Sequence, residues 1–117
     1  MIINTTKNRI IAKKTTLCRI FFSKMLGLMF SAKSKIKNKA MIFIFDKEQK
    51  VSIHMFFVFY NIDVLWLNKH KQVVEMKTLH PFNIYYPKRI AKYIIELESG
   101  TIKKTKTRIK DKIKFHE

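Results

Sequence analysis

The spacing of apolar and polar positions changes along this chain. Near the beginning, Leu17, Ile20, Phe21, Met25, Leu28 and Met29 recur three and four residues apart, which is the stripe of a core-facing helix over residues 17–30. Thr15 and Thr16 supply an N-cap, and Gly27 near the far end permits a left-handed turn or a close approach. From Met41 the period shortens. Apolar runs at residues 42–45 and 51–59 flank the polar turn Asp46-Lys47-Glu48-Gln49-Lys50 and predict a hairpin. Runs at 62–67 and 72–79 flank Asn68-Lys69-His70-Lys71 and predict a second hairpin. Pro81 and Pro87 bracket the aromatic loop PFNIYYP and keep it out of a central strand. Residues 91–97 read as a strand closed by Ser99-Gly100, and residues 112–115 as a last short strand.

Both faces of the 51–60 run are apolar beyond His54, so that strand is expected to be buried on both sides. A compact curled sheet or barrel-like domain, with the N-terminal helix against one opening, meets that demand. The expected fold is mainly β (α+β by count), with about seven strands and one N-terminal helix. The chain reads as a single domain over 1–117, with 1–8 as a flexible N-terminus.

Composition sharpens this picture. A hydrophobic fraction of 47% in 117 residues excludes wholesale disorder, and one cysteine excludes a disulfide scaffold. Two glycines leave no room for a glycine-rich phosphate loop. The start of the chain has no signal-like apolar segment. The most lipid-like window, residues 51–67, carries Asp63 and strand-forming side chains, so no membrane insertion and a cytoplasmic setting are expected. The net charge is +17, from 25 Lys and Arg against 8 Asp and Glu. Lysine outnumbers arginine, which favours affinity for anions over base readout.

The segments LGLMF (26–30), MIFIF (41–45), HMFFVFYNIDVLWL (54–67), QVVEMKTLHPFNIYYP (72–87) and AKYIIELESGTI (91–102) together resemble a known family. It is the one called domain of unknown function 192, or uncharacterised protein family 0127. The shared marks are Gly27 to Phe30, Asp63, and the set Glu96, Leu97 and Gly100. The resemblance implies a compact mainly-β fold and names no activity. This chain departs from the pattern at Asn61 and Glu98, where proline is usual, and at Lys110, where a Gly-Asp turn is usual. If that turn requires positive φ, Lys110 costs up to about 1 kcal/mol relative to glycine.

Asp63 stands on an apolar strand, where a carboxylate must be paired, hydrogen-bonded or protonated. It reads either as a ligand anchor or base, or as a structural acceptor of backbone N–H groups. His54, Tyr85 and Tyr86 join it as ligand-binding candidates; a satisfied histidine and a hydrophobic loop cluster are the structural alternatives. Cys18, in the first turn of the expected helix, reads as a small core residue, or as a thiol whose pKa the dipole lowers. Met25, Met29, Met41 and Met55 read as core filling or as a soft pocket. The four histidines have no metal-ligand spacing, so neither metal nor cofactor is expected. Two lysine runs carry the anion-binding candidates: Lys33, Lys35 and Lys37 (with Lys39), then Lys103, Lys104, Lys106 and Arg108. If the runs meet in the fold they form one strong positive field, with an anionic partner such as nucleic acid. The leading expectation is a non-enzymatic ligand- or partner-binding module. The alternatives are a salt-dependent nucleic-acid or polyanion binder and an enzyme using Asp63 or His54.

Overall fold

Val, Ile, Phe and Thr in alternation favour the pleated, half-buried surface of a strand. The structure, a computed structural model, describes residues 1–20, 28–29, 39–55 and 59–117. In chain order the described elements are β1 (Ile2–Asn4), β2 (Arg9–Ala12), β3 (Lys14–Ile20), β4 (Leu28–Met29), β5 (Lys39–Gln49), β6 (Ile53–His54), β7 (Ile62–Leu67), β8 (Val73–Leu79), β9 (Ile84–Tyr85), β10 (Ala91–Glu98), α1 (Thr101–Thr105) and β11 (Ile113–Lys114).

A five-stranded sheet in the order β3-β5-β10-β7-β8 forms the middle layer. β3 and β5 run parallel; the other neighbours are antiparallel. Side chains alternate between its two faces. On one face Ala40, Ile42, Ile44, Leu65, Leu67, Tyr93, Ile95 and Leu97 pack with Ile2, Ile11 and Ile113 of the sheet β11-β1-β2 and with Phe115 just beyond β11. On the other, Phe43, Phe45, Val64, Trp66 and Ile94 pack with Ile53 from the sheet β4-β6-β9. Every residue of β7 is buried, and the Trp66 indole N–H is satisfied by Val51 O at 3.0 Å. Being buried on both faces, the middle sheet needs no closure, and the described strands form layers rather than a closed barrel.

The mainly-β class, the 62–79 hairpin and the strand at 91–97 agree with the sequence reading. Four expectations do not. Residues 14–20 form β3 where the helix was to begin, and Leu17, assigned to its core stripe, is 38% exposed. Thr15, Thr16 and Ile20 are stiff at χ1 and prefer a strand, and β5 offers a parallel edge. The rest of that helix, with Gly27 and Met25, lies outside the described residues, apart from β4. The one described helix, α1, is C-terminal. β5 does not form a hairpin with the 51–59 run; β3 and β10 are its neighbours. In that run only Ile53–His54 form a strand among the described residues. Finally, the lead expected to be flexible carries β1, whose Ile2 and Asn4 are fully buried.

Candidate anion-binding face

Asp63, on β7, is a structural acceptor. Its Oδ1 accepts the Thr78 hydroxyl at 2.7 Å, and its Oδ2 accepts the N–H groups of Gly100 at 3.1 Å and Ile102 at 2.9 Å. Those donors open the turn into α1, where Gly100 takes φ +95°, a conformation suited to glycine. The carboxylate thus ties α1 to the middle sheet, and both of its oxygens are occupied.

The other proposed ligand residues lie across the sheet from it. His54 is half-buried on β6, opposite Ile84 of β9. Tyr85 packs against Trp66 with ring centroids 5.1 Å apart, and its hydroxyl donates to Glu75. That hydrogen bond, with burial, pushes the phenol pKa up to about 12. Glu75 also accepts the N–H groups of Lys88 at 2.9 Å and Arg89 at 3.1 Å, which fastens the aromatic loop to β8. Tyr86 is 72% exposed. His54 and Tyr85 therefore share one small sheet, whereas Asp63 faces the opposite layer.

Basic residues from several segments line clefts on both sides of α1. A cleft of about 190 Å³ beside α1 is lined by Arg9, Lys39, Glu98, Thr101 and Lys104. A second, of about 630 Å³, adds Lys13 and Lys14 to Lys39 and Lys104. Lys39, the described end of the first lysine run, and Lys104 of the second line both clefts. Lys33, Lys35 and Lys37 lie outside the described residues. On the other side of α1, Lys103, Lys106 and Arg108 line a cleft of about 590 Å³ with Lys7.

Among the described residues, Glu98 is the one carboxylate lining the first two clefts, while Asp63, Glu75 and Glu48 accept backbone N–H groups elsewhere, Glu48 from Lys69 at 2.9 Å. Ion pairs among the described residues include Lys7–Asp111 at 3.0 Å and Lys71–Glu117 at 3.5 Å. With 25 Lys and Arg against 8 Asp and Glu, the excess of cations leaves the surface field positive.

Two buried carboxylates were not singled out as sites from the sequence. Asp111 accepts Asn4 Nδ2 at 2.9 Å, the Arg108 N–H at 3.0 Å and Lys7 Nζ. Burial alone would raise its pKa; these hydrogen bonds outweigh that and hold it below the usual carboxylate range. Glu96 is fully buried on the Ile94 face of β10, and neither carboxylate oxygen has a hydrogen-bond partner among the described residues. Burial pushes its pKa up to about 8. Cys18 lies mid-β3, not at a helix start, and burial, then the Glu96 charge, push its thiol up rather than down. One signal was available for Glu96, a lone acid inside the apolar run YIIEL. Asp111 gave none, since its partner Asn4 is 107 positions away.

Among the described residues no group of three or more His, Cys, Asp or Glu side chains is placed to hold a metal ion. No helix among them is long and apolar enough to cross a membrane.

The family described as uncharacterized ACR, domain of unknown function 192, matches residues 2–115. A member of uncharacterised protein family 0127 from Pyrococcus horikoshii is 38% identical over 117 residues, 98% of each chain. Another, from Thermococcus kodakarensis, is 40% identical over 105 residues, which are 88% of this chain and 65% of its own. Among solved structures, a candidate transcription regulator from Sinorhizobium meliloti shares the fold with a TM-score of 0.71 at 19% identity, over 86% of this chain and 79% of its own.

Proposed function

The chain belongs to the domain of unknown function 192 family, and from its own surface chemistry we propose that it is a non-enzymatic module binding the phosphate backbone of nucleic acid. The observation that carries this reading is the meeting of Lys39 and Lys104 with Arg9, Lys13 and Lys14 around the clefts beside α1. Five cations from four segments line those clefts against one carboxylate among the described residues, Glu98, and a net charge of +17 adds a long-range attraction for polyanions. Lysines supply point charges to phosphates without a base-reading fork, so little sequence preference accompanies the binding. A cytoplasmic setting goes with this reading. A ligand anchored on Asp63 is less well supported, because that carboxylate already holds Thr78 and the α1 turn.

The test is fluorescence anisotropy of a labelled oligonucleotide with the parent protein and with Arg9→Gln/Lys39→Gln/Lys104→Gln. Loss of three phosphate contacts at low salt is expected to weaken binding at least about 30-fold. A control with Lys47→Gln and Lys50→Gln, at the far end of β5, is expected to change it less than about threefold. Equal losses in the two proteins would refute a localised site.

A further inference from the structure

Two phenylalanine rings lie on the surface in contact with each other. Phe59 and Phe82 are 68% and 61% exposed, with ring centroids 6.1 Å apart. Single exposed apolar side chains are ordinary on a protein surface; a pair that packs together and still faces water is not. The interplanar angle is 77°, so the rings meet edge to face and neither covers the other as a parallel stack would.

The loop under Phe82 is tied down. Pro81 and Phe82 are the central residues of a turn in which the Asn83 N–H donates to His80 O at 3.0 Å, and Asn83 Oδ1 accepts the His80 N–H at 2.9 Å. The Phe82 N–H donates to Met55 O at 2.9 Å and the Met55 N–H to Asn83 O at 2.8 Å, which fastens the turn to the buried residue that follows β6. Ordered backbone therefore holds the ring at the surface, and a ligand stacking there orders little that is not already ordered.

Strand register places this pair at the same end of the middle sheet as Lys39. Ala40 stands opposite Leu97, Glu98 opposite Ile62, and Ile62 opposite Leu79. Lys39, which precedes Ala40 and pairs with Lys14, thus shares one end of the sheet with Ile62 and Leu79. Phe59 lies three residues before Ile62, and Phe82 three after Leu79. Two strand spacings of about 4.8 Å and three residues of about 3.4 Å each keep the Lys39 and Phe59 backbones within about 20 Å. About six nucleotides, at about 3.4 Å each, cover that distance.

We propose that unpaired bases stack on Phe59 and Phe82, so that the nucleic acid held by the cations around Lys39 is single-stranded. This deepens the phosphate-binding reading and rests on it. Every base has a π-face, so stacking tolerates any sequence, as do lysine contacts to phosphate. In a duplex the bases are stacked on one another inside the helix, out of reach of a surface ring.

The experiment is anisotropy at fixed low salt with a labelled oligothymidylate of about twelve nucleotides, an abasic strand of the same length that keeps the phosphates, and a duplex. The parent is expected to bind the oligothymidylate at least about tenfold more tightly than the abasic strand. Phe59→Ala/Phe82→Asn is expected to bind those two strands alike and to leave duplex affinity within about twofold of the parent's. Asparagine accepts the φ of 66° at position 82, so the turn is kept. Phe82→Trp is expected to hold the parent's affinity, and the oligothymidylate is expected to quench its added indole while the parent's buried Trp66 is unaffected. Oligothymidylate and abasic strand binding within about threefold of each other in the parent overturns the stacking and leaves phosphate binding standing. A duplex that loses as much as the single strand in Phe59→Ala/Phe82→Asn does the same. No binding of any of the three would instead overturn the phosphate-binding reading itself. A parent that sediments as a dimer, with Phe59→Ala/Phe82→Asn a monomer, also overturns the proposal, because the rings then face a second copy.

Discussion

Replacing Glu96 by glutamine is expected to flatten the alkaline side of the stability curve. The buried carboxyl has a folded-state pKa of about 8 against an ordinary 4.5. Because the folded value is the higher one, the folded state holds its proton through a window in which the unfolded chain has already lost it. Stability therefore falls as pH rises from about 4.5 and stops falling above about 8. Linkage over that window makes the loss about 1 kcal/mol at pH 5 and about 5 kcal/mol at pH 9, a difference of about 4 kcal/mol. That is a large share of the 5–15 kcal/mol typical of a domain. Glutamine keeps the shape and cannot ionise. The assay is urea denaturation from pH 5 to 9, followed by fluorescence of the single, buried Trp66. The parent should lose about 4 kcal/mol more than Glu96→Gln across the range. Curves that stay parallel within about 1 kcal/mol would show that Glu96 is solvated or paired, and the reasoning would fail.

Further predictions concern the other carboxylates and the last turn. Asp63→Ala strands two backbone donors of the α1 turn and the Thr78 hydroxyl, so it should cost about 3 kcal/mol in denaturant unfolding; a cost below about 1 kcal/mol would mean that the turn is held by other contacts. Lys110→Gly should gain up to about 1 kcal/mol by relieving a positive φ, provided the Lys110 N–H keeps its 2.7 Å bond to Val73 O. A loss of stability there would show that the lysine side chain contributes to the fold. Asp111→Asn tests the opposite pH sign to Glu96. With its folded pKa held low, Asp111 stabilises above the ordinary carboxylate pKa and ceases to do so as pH falls through its own. The gap between parent and variant should be widest near neutrality and close in strong acid; a constant gap would contradict this.

The hairpin of β7 and β8 was legible because its polar turn says where the chain reverses. Asn68 Oδ1 accepts the N–H groups of His70 and Gln72, the role that makes asparagine a turn residue. Asp63 was legible as a carboxylate that had to be satisfied, and its structural alternative is the one observed. β3 was misread because leucine, isoleucine and phenylalanine three and four residues apart fit a helix, while the threonines and the parallel partner β5 favour a strand. A parallel pairing leaves no local turn signal. α1, five residues long, is too short to carry a period. The basic face was half legible. Sequence marked the lysine runs, but only the fold brings Lys39 to Lys104 and sets Arg9, Lys13 and Lys14 beside them. Arg9, Lys13 and Lys14 sit with Lys7 in KNRIIAKK (7–14), a third basic cluster that the reading of the two longer runs passed over.

The most direct test of the phosphate-binding face is the salt dependence of oligonucleotide affinity. Four or five phosphate contacts on a single strand give a slope of about −3 in log K against log salt, or roughly a 100-fold loss between 50 and 200 mM. The Arg9→Gln/Lys39→Gln/Lys104→Gln protein should have a slope shallower by about 2. Affinity that does not change with salt, or a slope that these substitutions leave unchanged, would contradict binding through the face beside α1.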